Sequence, residues 1–141
     1  MRLSLVRQVL ILAALALVPG LGEAIYFRDT ISWKSAIPPS ELVNIDQARA
    51  WGDNAIWVDA RPDEEFARDH APGALSLNED RWNELLPQLL AVWSPGKKIV
   101  VYCSSLSCNT SREVARRLHK EAQLTDVFVL EGGWEAWLKK R

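Results

Sequence analysis

Apolar positions along the chain fall into two kinds of run. KIVVYC, residues 98 to 103, joins β-branched and aromatic residues with no alternating polar positions, which predicts a strand covered on both faces. AIWVDA, from Ala55 to Ala60, and the run from Val127 to Leu130 read as two further short strands, while ALSL (residues 74–77) is too short to assign. Between these runs, Trp82, Leu85, Leu86, Leu89 and Leu90 recur at helical spacing, with Pro87 marking a kink or the start of a second helix. Val114, Ala115, Leu118 and Ala122 form the buried side of another helix, and Thr110 three positions before Glu113 has the spacing of a capping box. Asp46 is placed to cap a short helix ending at Trp51, Asp63 to Arg68 forms a brief helical turn, and Asn78 or Asp80 offers a cap ahead of Trp82. Gly132 and Gly133 precede a last amphipathic piece containing Trp134, Trp137 and Leu138. Strands alternating with helices predict a small α/β domain with a mainly parallel sheet flanked by helices.

The first residues follow a different pattern. MRLSLVRQ carries Arg2 and Arg7, an unbroken apolar run then extends from Val9 to Val18, and Pro19-Gly20 ends it before Gly22-Glu23-Ala24. Basic, hydrophobic and small-residue regions in that order predict an export signal over residues 1–24, to a periplasm-like compartment, or, if retained, a membrane anchor. Residues 25–40 have no clean period and end in Pro38-Pro39-Ser40, as a stiff linker would, so the domain proper is assigned to residues 41–141.

Seventeen basic against eighteen acidic residues give a formal charge of −1, which offers no bulk attraction for nucleic acid. Contact with a membrane is expected only if the N-terminal segment is kept. Both cysteines, Cys103 and Cys108, lie in YCSSLSCNTSRE (residues 102–113). In an oxidising compartment two such thiols either pair or are kept reduced by a partner protein. Cys103 ends the most central-looking strand, and ligands of parallel sheets sit beyond the carboxyl ends of the strands. A thiolate there meets loop amides and the N-terminus of the following helix, both of which lower its pKa. The alternative is a buried cysteine with no chemistry.

From Trp57 onward the chain resembles a single-domain rhodanese, the sulfurtransferase fold. The resemblance is carried by VDARPDEEFARDHAPGALSL (residues 58–77), by IVVYCS ahead of a loop, by SREVARRL (residues 111–118) and by VFVLEGGWEAW (residues 127–137). It implies that Cys103 accepts a sulfane sulfur from a small donor as a persulfide and passes it to a thiol or protein acceptor. It also implies that Asp59 and Arg61 brace the loop by charged hydrogen bonds, while His70, Pro72, Gly73, Gly132, Gly133 and Trp137 serve the architecture. Ser104, Ser105, Ser107, Thr110, Ser111 and Arg112 make up or flank the loop that would hold the persulfide.

This loop departs from the usual rhodanese pattern. It is about two residues longer, lacks a central glycine, and has no Lys or Arg before Arg112, so a dianion such as thiosulfate finds little fixed positive charge. The separation of Cys103 from Arg112 does not fit the Cys-x5-Arg arrangement of phosphatases that share the fold. Cys108, five positions after Cys103, is a resolving thiol, a partner in thiol–disulfide exchange, or a spectator. A binding module without turnover is the competing reading. No cofactor is expected, and two cysteines with two histidines, His70 and His119, do not make a structural zinc site. His119 is expected on the helix exterior, and Trp33, Trp51 and Trp93 near element ends are candidates for a partner surface.

Overall fold

The structure, a computed structural model, describes residues 6–8, 38–104 and 109–141. The chain divides into two units, Met1–Ala36 and Ile37–Arg141. Of the first unit only residues 6–8, which are helical, are described. The export signal and Trp33 therefore fall almost wholly outside the described residues. Among the described residues no helix is long and apolar enough to cross a membrane.

In the second unit five strands form one sheet in the order β1 (Leu42–Val43), β5 (Val127–Leu130), β4 (Lys98–Tyr102), β2 (Ala55–Asp59) and β3 (Leu75–Ser76). Every neighbouring pair is parallel. Between them come α1 (Ile45–Ala50), α2 (Asp63–Arg68), α3 (Trp82–Val92), α4 (Asn109–Glu121) and α5 (Gly133–Lys139). β4 lies in the middle of the sheet, in register with β2 from Ala55 opposite Lys98 to Asp59 opposite Tyr102. Its side chains therefore alternate between two apolar cores. Ile99 and Val101 join Ile56, Val58, Val127 and Val129 against Leu85, Leu89, Val114 and Leu118. Val100 and Tyr102 join Ile45, Ala48 and Leu130, with Trp57, Phe66, Trp134 and Trp137 packed on them. Covering on both faces is the physical reason that KIVVY carries no polar alternation.

Local chemistry sets the element ends, in places differently from the sequence expectation. Asn44, not Asp46, caps α1: its side chain accepts from the backbone N–H of Gln47 at 2.9 Å, and the Gln47 side chain accepts from the Asn44 N–H. Asp46 sits inside the first turn instead, where a carboxylate favours the helix dipole. Pro87 does not start a second helix: one helix runs from Trp82 to Val92, anchored by buried Trp82, Leu85 and Leu89, with Pro87 on its exposed side. Asn78 accepts from the Arg81 N–H at 2.9 Å and so secures the turn before α3. Thr110 lies within α4 rather than ahead of it, and Glu113 pairs with Arg116, so the Thr110–Glu113 capping box does not form. Trp51 and Trp93, both half-buried, pack against the two cores.

Candidate functional site

β4 delivers Cys103 to the carboxyl edge of the sheet, where it is 2% exposed. Its carbonyl oxygen accepts from the Trp134 backbone N–H at 2.7 Å. That contact depends on the Gly132-Gly133 turn at the start of α5, in which both residues adopt positive φ. On the other side Ser111, buried in the first turn of α4, places its Oγ 3.3 Å from Cys103 Sγ. Cys103 is disulfide-bonded. Such a sulfur has no proton, so the Ser111 hydroxyl is the donor in this contact. Ser105, Ser107 and Cys108 lie outside the described residues.

The end of β2 supplies the charged brace. Asp59 is fully buried and Arg61 nearly so. The guanidinium donates to Asp59 through Nε at 3.0 Å and Nη2 at 2.7 Å, and Nη2 also donates to the Asp69 carbonyl at 2.7 Å. Burial works to lower the pKa of this guanidinium, but the Asp59 hydrogen bonds and charge outweigh it and hold it above its ordinary value. Its Cζ lies 4.6 Å from the centre of the Trp134 ring, and Trp134 stacks on Tyr102. One cation thus joins the end of β2, the start of α5 and the last residue of β4. Burial also pushes the Tyr102 hydroxyl well above the usual phenol range; its oxygen accepts from the Ala71 N–H at 3.1 Å.

Glu65 extends this brace to the cysteine segment. Its Oε2 accepts from the Ser104 hydroxyl at 3.1 Å and lies 3.5 Å from Arg61 Nη1. The sequence reading overlooked Glu65. Its spacing from Arg61 is the i,i+4 of a helical ion pair, a signal readable in advance. The link to Ser104, 39 positions away, comes only from the fold.

Other candidate residues fall into supporting positions. His70 Nδ1 is 2.8 Å from the Phe66 carbonyl, which requires the proton on that nitrogen, and the ring stacks on Phe66. Arg112 Nη1 is 3.5 Å from Asn109 Oδ1. His119 is not on an open helix exterior: it is half-buried, with Nδ1 2.6 Å from the Leu124 carbonyl after the end of α4. Leu124 and Ala122 pack on the core just past the end of α4, which brings the Leu124 carbonyl to the imidazole. Among the described residues no group of three or more His, Cys, Asp or Glu side chains is disposed to hold a metal ion.

A parallel sheet covered on both faces, with a cysteine at the carboxyl end of its middle strand and a buried Asp–Arg pair at the end of the neighbouring strand, defines a class of α/β domain with a strand-end cysteine. The Rhodanese-like domain family matches residues 44–140, and the chain belongs to that family. Among solved structures it is similar to the BH2092 protein from Bacillus halodurans, with 24% identity and a TM-score of 0.60 over 86% of this chain and 82% of that one. A rhodanese-like domain protein from Staphylococcus aureus is 25% identical with a TM-score of 0.53, over 69% of this chain and 90% of that one. A thiosulfate sulfurtransferase from Pseudomonas aeruginosa is 20% identical with a TM-score of 0.59, over 77% of this chain but only 20% of that larger one.

Proposed function

We propose that this is an exported rhodanese-like protein that carries sulfane sulfur as a persulfide on Cys103, with Cys108 as the resolving thiol. Family membership makes sulfurtransferase chemistry plausible. The observation that carries the reading is the placement of Cys103 Sγ, buried at the strand end and 3.3 Å from the Ser111 hydroxyl. Residues 1–24 would direct export and 25–40 link to the domain at 41–141; without cleavage, residues 1–24 would anchor it.

In the first step the Cys103 thiolate attacks the outer sulfur of a donor. One S–S bond forms, another breaks, and the donor's remaining fragment leaves with the electron pair. Helix-terminal and loop amides with the Ser111 hydroxyl would hold the charge of the persulfide. Its outer sulfur then passes to a small thiol or a protein acceptor, or Cys108 attacks the Cys103 sulfur, forms the intrachain disulfide and releases hydrosulfide. In that second route two thiols are oxidised as sulfane sulfur is reduced, so an external dithiol must restore the protein. The disulfide at Cys103 supports a second reading, a thiol–disulfide exchange protein working with a redox partner. Ser104, Ser105, Ser107, Thr110, Ser111 and Arg112 would shape the loop in either cycle.

Intact mass of the full chain, reduced and then exposed to one equivalent of polysulfide, tests these readings. Gain of one sulfur that requires Cys103, and that decays more slowly in Cys108→Ser, is the expected result. A reduced protein that takes up no sulfur but exchanges disulfides with a dithiol partner favours the redox reading. Loss of both reactivities leaves a binding module. Cell fractionation with a sized product tests export and cleavage.

A further inference from the structure

We infer that Glu65 positions the cysteine segment and selects sulfur donors by charge, turning the site away from dianions and toward persulfides of low net charge. The inference rests on the persulfide reading above. Ser104 immediately follows Cys103, and its hydroxyl donates to Glu65 Oε2 at 3.1 Å, while the Cys103 carbonyl is held by the Trp134 N–H at 2.7 Å. The backbone at the nucleophile is thereby fixed from two elements, α2 and α5.

The charge around it is unbalanced. Arg61 is engaged by both oxygens of Asp59 and by the Asp69 carbonyl, and it reaches Glu65 only at 3.5 Å. Two carboxylates thus share one guanidinium, and Glu65 is the exposed member, with 38% of its side chain in solvent against 0% for Asp59. No Lys or Arg occurs from Cys103 to Ser111, and the Arg112 guanidinium reaches toward Asn109. An incoming thiosulfate therefore meets a carboxylate that is hydrogen-bonded to the residue following the nucleophile. A zwitterionic persulfide meets the same carboxylate with no net charge to repel. Either donor balances in the same way: Cys103–S⁻ gains the outer sulfur as Cys103–S–S⁻, and sulfite or the parent thiolate leaves with the electron pair.

The test uses reduced full-chain protein and follows sulfur loading of Cys103 by mass from two donors, thiosulfate and cysteamine persulfide. Wild type is expected to load faster from cysteamine persulfide. Glu65→Gln keeps an acceptor for Ser104 but removes the charge, and should raise the thiosulfate-to-persulfide rate ratio about fivefold, as one unit charge several ångströms from a dianion predicts. It should also lower the pH midpoint for alkylation of Cys103. Glu65→Asp and Ser104→Ala keep the charge and should leave the ratio near wild type while slowing both donors. An unchanged ratio in Glu65→Gln, with both donors still loading, overturns the role of Glu65 and leaves the persulfide reading standing. Failure of wild type to load from either donor overturns both together.

Discussion

Trp134 donates its backbone N–H to the Cys103 carbonyl across 2.7 Å, so the first turn of α5 holds the main chain of the candidate nucleophile. This contact depends on Gly132, whose φ of +77° belongs to the left-handed region and whose missing Cβ would stand 2.9 Å from the Cβ of Ala136. Gly132→Ala is therefore expected to lower stability by about 1 to 3 kcal/mol. It should also displace the Cys103 backbone. Urea denaturation measures the first effect, and the alkylation rate of reduced Cys103 reports the second.

Asp59→Asn would leave the buried Arg61 with only the part-exposed Glu65 carboxylate, 3.5 Å away, to balance its charge. The Asp59–Arg61 pair is 2.7 Å apart with almost no exposure on either side, and breaking such a pair from one side destabilises by about 3 to 5 kcal/mol. That is a large part of the stability expected of a domain this size. Arg61→Lys keeps the charge but loses the fork that spans Asp59 and the Asp69 carbonyl, and should cost less. A loss of under about 1 kcal/mol in Asp59→Asn, read from denaturant midpoints, would contradict the bracing role.

These two cases show which parts of the molecule the sequence made legible. β2, β4 and β5 could be read because strands packed on both faces leave apolar runs, and Asp63 to Arg68 because its helical pattern is local. β3 could not, since two residues carry no period, and its identity comes from pairing Leu75 with Val58. The α1 cap was readable: Asn44 and Gln47 have capping-box spacing, but Asp46 drew the assignment. At Thr110 the spacing matched a box that a different start of α4 removes. The positions of Asp59, Arg61 and Cys103 could be anticipated from motifs, whereas the links of Trp134 to Arg61 and of Glu65 to Ser104 come only through contacts between distant elements.

The buried Tyr102 hydroxyl predicts an alkaline limit to stability. Burial raises its folded-state pKa above the ordinary 10.0, so the folded state favours the neutral phenol. Its contribution is fully present below pH 10 and is lost as pH rises from there toward the folded pKa. Tyr102→Phe should flatten part of that decline. At neutral pH it should be less stable by about 1 to 3 kcal/mol, because it leaves the buried Ala71 N–H without its 3.1 Å acceptor. Thermal melts between pH 7 and 11 would show both effects.

Pro87 occupies the exposed side of α3, where a helical N–H would otherwise bond to the carbonyl of residue 83. Pro87→Ala restores that bond without touching the buried face of Trp82, Leu85 and Leu89. Interior proline is unfavourable by about 3 kcal/mol relative to alanine, an upper bound for a helix that folds with the proline in place. A gain of about 1 kcal/mol in unfolding free energy is expected. An unchanged or lower denaturant midpoint would show that the proline shapes the packing of α3.

Ser111 offers the most direct probe of the sulfur environment. Its hydroxyl lies 3.3 Å from Cys103 Sγ inside the first turn of α4, where donation favours a thiolate over a thiol. Ser111→Ala should therefore raise the pH midpoint for alkylation of reduced Cys103. Sulfur loading near neutral pH should slow in proportion to the lost thiolate. Ser111→Thr keeps the hydroxyl and should restore the midpoint if its added methyl fits beside Cys103, and a shift caused by packing alone would persist in that variant. A midpoint that stays with wild type in Ser111→Ala would mean that helix and loop amides, rather than this hydroxyl, set the acidity of Cys103.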